Sequence, residues 1–156
     1  MNDLEEILRR HGPMVYRLAL CYTRQVSDAE DVFQEVFLRY MQRLRPFADE
    51  EHRKAWLIRV TINQCRSLHR RIVRHPMVSL EAQGAVAFAS PEESAVDEAM
   101  AALPAKYRSV IHLHYYEGYS TEEASHLLGQ RPSTTRTQLT RARRMLGDKL
   151  KGAHHE

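Results

Sequence analysis

Ser120-Thr-Glu-Glu-Ala-Ser-His-Leu-Leu-Gly-Gln-Arg-Pro-Ser-Thr-Thr-Arg-Thr-Gln-Leu-Thr-Arg-Ala-Arg-Arg-Met-Leu146 reads as a short helix, a glycine turn and a second, basic helix. Ser120 and Glu123 have the spacing of a capping box, in which each side chain serves the other's backbone amide. Ala124, Leu127 and Leu128 supply one apolar face, and Gly129 follows where a left-handed residue closes a helix at least cost. Pro132 stands where a new helix has its first residue, a position that needs no amide hydrogen. In that second helix Thr135, Leu139, Ala142 and Leu146 recur at offsets of four, three and four and form one side. Ser133, Arg136, Thr137, Thr140, Arg143 and Arg144 form the other, and they are the residue types that meet phosphates and base edges. The spacing is that of a helix-turn-helix, and it predicts contact with DNA through the second helix.

A short helical hairpin with a solvated basic face would share much of this pattern. Charge separates the two readings. From Arg131 to Lys151 there are seven Lys or Arg against one acid, Asp148. A merely solvated helix interleaves its signs.

Working outward, the 156 residues have room for one ordinary domain or two small ones. Six glycines, six prolines and an abundance of helix formers predict an all-α protein. The net charge is only +3, but it is strongly segregated. Arg53 to Arg74 holds seven Lys or Arg and no acid, whereas His75 to Ala102 holds five acids and no Lys or Arg. Two separate basic stretches point to a polyanionic partner. Cys21 and Cys65 lie in apolar helical patterns with no C-x-x-C pairing, and are read as small buried hydrophobes in a reducing compartment. His112 and His114 are two residues apart and fall on different sides of a helix. No metal-ligand motif is present, so neither a metal nor a cofactor is expected. No signal-peptide run or membrane-length apolar stretch is seen, which predicts a cytoplasmic protein.

The first half reads as four helices. One starts at Leu4, Ile7 and Leu8 and breaks at Gly12-Pro13; the next runs through Val15, Leu18, Ala19 and Tyr22. Ser27-Asp-Ala-Glu30 reads as another capping box. It opens a helix with Ala29, Val32, Phe33, Val36, Phe37, Tyr40 and Leu44 as apolar positions, ended by Arg45-Pro46. A long helix from about Glu51 to Val73 buries Ala55, Ile58, Ile62, Cys65 and Ile72. Periodicity lapses from His75 to Ala89, which reads as a semi-extended, mobile linker. Ser90-Pro91 restarts a helix, and Leu103-Pro104 starts another in which Tyr107, Val110, Ile111, Leu113 and Tyr115 are apolar positions up to Gly118. The expected organisation is two small helical domains, 1–74 and 91–156, joined by a tether at 75–90.

Two further constellations stand in the first domain. Arg59, Asn63, Arg66 and Arg70 are four, three and four apart and form a single stripe of the long helix. Such a stripe suits successive phosphates, with Asn63 able to address a base edge. On the preceding helix Asp28, Asp31, Gln34 and Glu35 face outward. The helix dipole alone would favour acids at that end, so residue physics leaves the patch without an assigned role.

Asp28-Ala-Glu-Asp-Val-Phe-Gln-Glu-Val-Phe37 resembles region 2 of bacterial sigma factors of the extracytoplasmic-function class. Ala55-Trp-Leu-Ile-Arg-Val-Thr-Ile-Asn-Gln-Cys-Arg66 resembles the stretch that follows it, and Leu103-Pro-x-x-Tyr-Arg-x-Val-Ile through Arg141-Ala-Arg143 resembles region 4. The resemblance covers nearly the whole chain in the same order. It implies a dissociable promoter-specificity subunit of RNA polymerase, with core polymerase and promoter DNA as partners and no small-molecule substrate. Asp28, Asp31, Gln34 and Glu35 would dock on the clamp helices of the largest polymerase subunit. Arg59, Asn63, Arg66 and Arg70, with the Arg45-to-Glu51 loop, would engage and open the −10 element. Ser133, Arg136, Thr137, Thr140, Arg143 and Arg144 would read the −35 element beside the polymerase flap. The resemblance also implies an anti-sigma partner, often membrane-bound, that holds the factor inactive.

Some residues depart from the family pattern. Thr135 and Gln130 stand at normally aliphatic positions, Arg131 where a serine-like cap is usual, and Ser133 where glycine is usual. They predict a loosely packed start to the last helix. Two other classes compete with the family reading: a repressor or activator that binds an operator unaided, and a nucleic-acid enzyme. The enzyme finds no support in paired carboxylates, a phosphate-cradling loop or an activated nucleophile.

Overall fold

The computed structural model describes residues 3–74 and 90–154, which hold seven α-helices and one π-helical turn. The chain divides into two compact units, Met1–Gly84 and Ala85–Glu156. Except for Ser90, the segment read as a linker lies outside the described residues, as does His155. An all-α architecture is what the composition and periodicity predict.

The first unit consists of α1 (Asp3–Thr23), α2 (Val26–Gln42) and α3 (Glu50–Arg74), each packed on the other two. Its core is made by Ile7, Val15, Leu18 and Ala19 of α1, Ala29, Val32, Val36 and Phe37 of α2, and Leu57, Ile58, Ile62 and Cys65 of α3. Burying a side chain of this size contributes about 1.5–3 kcal/mol, so three mutually packed faces outweigh local helix-breaking signals. Such a signal is overridden at Gly12-Pro13, where a break was expected and α1 runs straight through. Gly12 is buried and faces the Phe33 ring, while Pro13 and Arg9 lie on the solvent side. The carbonyl that Pro13 deprives of its partner is therefore on the wet face, where its loss costs least.

The capping box expected at Ser27 does not form, because α2 begins earlier. Arg24 takes a left-handed φ of 60° and Gln25 is the extended N-cap, without a side-chain cap bond. The Thr23 hydroxyl holds this turn, donating to the Gln25 carbonyl at 3.2 Å. The other end of α2 also differs from expectation. The helix stops at Gln42, and Leu44 is 97% exposed instead of buried. In α3 the buried face is centred on Leu57, Ile58, Thr61, Ile62 and Cys65. Ile72, expected in the core, is 46% exposed, because the last turns of α3 carry no buried residue. Thr61 is tolerated in the core because its hydroxyl donates to the Leu57 carbonyl at 2.6 Å. Cys65 is buried, and desolvation with Cys21 nearby pushes its thiol up to about 12. Cys21 is only half-buried, and neither cysteine is in a disulfide.

The second unit begins at α4 (Pro91–Ala101), where Ser90 Oγ accepts from the Glu93 amide at 3.1 Å and Pro91 takes the first turn. Then come α5 (Ala105–Ile111), the π turn (His112–Tyr116), α6 (Thr121–Leu128) and α7 (Pro132–His154). α4, α5 and α6 all pack on α7. Leu103, Val110, Leu113, Ala124, Leu128, Leu139 and Ala142 form the core. The expected uninterrupted helix to Gly118 is replaced from His112 by the wider turn, and this changes the facing of the residues that follow. Tyr115, expected inside, is 57% exposed. No described helix is long and apolar enough to cross a membrane.

Candidate nucleic-acid and polymerase interfaces

The helix-turn-helix is built by local chemistry. The Ser120 amide donates to Glu123 Oε1 at 2.9 Å and the Glu123 amide to Ser120 Oγ at 3.1 Å, so the predicted capping box is complete. The bonds it receives hold the Glu123 carboxyl below its ordinary range. Gly129 closes α6 in the left-handed region, with φ 66° and no atom within 4 Å of a would-be Cβ. The constraint there is conformational, not steric crowding.

On α7, Thr135, Leu139 and Ala142 are buried, while Ser133, Arg136, Thr137, Thr140, Arg143 and Arg144 are all exposed. The start of α7 is better held than its departures predict. Gln130 Nε2 donates to Thr135 Oγ1 at 2.8 Å and to Gln138 Oε1 at 2.6 Å. The two residues that replace aliphatic ones thus satisfy each other, and Thr135 is fully buried. One of the six exposed residues is not simply solvated: Arg143 Nε donates to the Tyr115 hydroxyl.

In the first unit, Arg59 and Arg66 are half-buried and Asn63 and Arg70 exposed, on the side of α3 away from its core. An aromatic cluster that sequence reasoning did not single out joins this stripe. Phe47 stacks on Tyr40 with centroids 6.0 Å apart and planes at 8°, and meets Trp56 edge-on at 5.7 Å. The Arg43 guanidinium lies 4.2 Å from the Phe47 centroid and 5.3 Å from that of Trp56. His52 closes the cluster with an edge contact to Phe47 at 5.2 Å. His52 and Trp56 precede Arg59 by seven and three residues, so they share its side of the helix. The available signal was aromatic residues interleaved with arginine around Pro46. The fold brings Phe47 onto Trp56 from a loop, which periodicity does not report.

On α2, Asp31 and Gln34 are exposed, Asp28 is half-buried, and Glu35 pairs with Arg39 at 3.0 Å. Partial burial, and then the Asp31 carboxylate, raise the Asp28 carboxyl above its ordinary value. Leu38 and Met41 continue this exposed face at helical spacing and were not singled out in the sequence. Beside it, a groove of about 530 Å³ between α1 and α2 is lined by Leu8, Pro13, Tyr16, Phe33 and Gln34. The α2 face is therefore acidic and polar at its N-terminal end and apolar towards its C-terminal end.

Comparison with known proteins matches the two units separately. Residues 7–75 match the family model for sigma-70 region 2, and residues 93–146 that for sigma-70 region 4. A probable RNA polymerase sigma factor, RfaY of Xanthomonas campestris pv. campestris, is 34% identical over 149 residues. That match covers 87% of this chain but only 37% of the relative. The extracytoplasmic-function (ECF) RNA polymerase sigma factor SigL of Mycobacterium tuberculosis is 32% identical over 145 residues, covering 87% of this chain and 82% of SigL. Among solved structures, the fold is similar to the sigma factor RpoE in complex with the anti-sigma factor NepR from Bartonella quintana. The TM-score is 0.72 at 23% identity, over 97% of this chain and 98% of that one.

Proposed function

The chain belongs to the extracytoplasmic-function sigma factors, and we propose that it is a dissociable promoter-specificity subunit that brings core RNA polymerase to −35 and −10 elements and helps open the DNA. The observation that carries this reading is the segregation of surfaces. Six polar or basic residues of α7 are exposed opposite a buried seam, and an arginine stripe with aromatics lies on α3.

Opening requires no catalytic residue. Extruding a base costs a few kcal/mol, and stacking on an aromatic side chain returns about 1–3 kcal/mol per base. Tyr40, Phe47 and Trp56 offer such a platform, and Arg59, Asn63, Arg66 and Arg70 offer phosphate and base-edge contacts along the same helix. On α7, Arg136 lies near the N-terminal end, which enters the major groove in helix-turn-helix docking. A bidentate contact to guanine there is worth about 1–3 kcal/mol of discrimination. Arg143 and Arg144 lie further along and meet phosphates, which add affinity without sequence information.

Asp28, Asp31, Gln34 and Glu35 form the surface for the polymerase clamp, with the flap beside the second unit. A cognate anti-sigma protein competes for these surfaces and keeps the factor inactive, in the cytoplasm or at a membrane through its own anchor. The fold-level likeness to a sigma factor solved with its anti-sigma partner supports this control.

The polymerase assignment is tested by Asp31→Arg with Glu35→Arg. The change also breaks the Glu35–Arg39 pair, but an exposed pair of this kind is worth only about 0.3–0.5 kcal/mol. Capture by purified core enzyme should fall at least tenfold with helical circular dichroism unchanged. Unaltered capture removes the assignment.

A further inference from the structure

Among the described residues, Arg143 is the one member of the exposed α7 face with a hydrogen-bond partner outside its own helix. Its Nε donates to the Tyr115 hydroxyl, and its guanidinium carbon lies 5.4 Å from the Tyr115 ring centroid. The bond occupies Nε alone, and no carboxylate among the described residues pairs with Arg143. Both terminal amino groups of the fork are left for an external acceptor.

Tyr115 is itself held. His114 Nδ1 donates to the Tyr119 carbonyl at 2.7 Å, which fixes the proton on that nitrogen, and the His114 ring meets Tyr115 edge-on at 4.8 Å. Both residues belong to the π turn, closed by the Glu117 amide on the His112 carbonyl at 3.0 Å. Such wide turns are rare and frequently lie at functional sites. Here the turn coincides with an aromatic ring exposed at the surface instead of buried, its hydroxyl against the neighbouring helix.

We propose that Tyr115 is a positioning residue for DNA binding: it pre-orients the Arg143 guanidinium to receive a backbone phosphate. A free arginine loses much rotamer freedom when it grips a phosphate, and a side chain already fixed through Nε and a π face loses less. The benefit is affinity without sequence preference, since phosphates carry no base identity. This inference rests on the reading of α7 as the DNA-facing helix.

The test uses holoenzyme reconstituted from the full chain and core polymerase. The probe is a promoter duplex recovered by the wild-type holoenzyme from a randomised library, titrated over a range of KCl concentrations. Arg143→Ala should weaken binding about three- to tenfold and lower the log–log salt slope by about one. Tyr115→Phe, which keeps the ring and removes only the hydroxyl, should weaken binding in the same range, reduce the salt slope, and act evenly on single-base −35 variants. The double variant should bind no more weakly than Arg143→Ala alone. If Tyr115→Phe binds like wild type, or its loss adds in full to that of Arg143→Ala, Tyr115 does not act through Arg143 and the proposal is overturned. In that case the weakening by Arg143→Ala still stands as support for α7 facing DNA. If Arg143→Ala itself has no effect, the phosphate contact is wrong and the positioning role falls with it.

Discussion

His11, only 8% exposed on α1, directs its Nε2 at Glu50 Oε2 in the first turn of α3, 3.1 Å away. Facing a carboxylate, that nitrogen is the donor. Arg10 at 3.5 Å and Arg53 also meet the Glu50 carboxylate, so one side chain ties the start of α3 to α1. The loop carrying Phe47 ends at this junction.

The His11 hydrogen bond first, and the neighbouring arginines after it, hold the Glu50 carboxyl below its ordinary value of 4.5. A lowered carboxyl stabilises the fold above the unfolded-state value, and this contribution is lost as pH falls through the folded-state value. Glu50→Gln is therefore expected to melt below wild type at pH 7, with the gap closing under acid conditions below pH 4.5. Thermal melts at a series of pH values check this; a gap that persists unchanged in acid would assign the effect to packing.

At the helix-turn-helix elbow, Thr135→Val removes the acceptor of the Gln130 bond from a fully buried site. We expect a loss of about 0.5–1.5 kcal/mol in urea unfolding. Gln130→Leu added to Thr135→Val should recover most of it, because both partners are then apolar. Equal or greater loss in the double variant would contradict the pairing.

Arg136, exposed near the start of α7, is expected to read a base. With holoenzyme and a panel of single-base −35 variants, Arg136→Ala should relax selectivity at one or two positions by about 1–3 kcal/mol. Arg143→Ala should weaken all of them nearly evenly. If Arg136→Ala lowers every promoter by one factor, it contacts phosphate.

What was legible in the sequence was local chemistry. Ser120, Gly129, Pro132 and Ser90 cap or start helices as predicted because their partners lie within a few residues. Periodicity found the α7 seam and the α3 stripe for the same reason. What stayed hidden depended on distant packing. Pro13 sits inside a helix because α2 and α3 hold α1 together, and Ser27 fails to cap because Thr23 and Arg24 set an earlier start. Tyr115 faces out because the π turn shifts the phase on which its burial was predicted. Phe47 reaches Trp56 through a loop, so no period reveals the platform.

Run-off transcription with purified core polymerase over a promoter library decides whether this chain confers promoter specificity. Core enzyme alone should be silent, and adding this chain should start transcripts from promoters sharing one −35 and one −10 sequence. The chain alone should show no comparable site-specific DNA binding. If it binds one operator tightly without core enzyme, and adds no promoter-specific transcripts with it, it is a free-standing operator-binding regulator and not a sigma subunit.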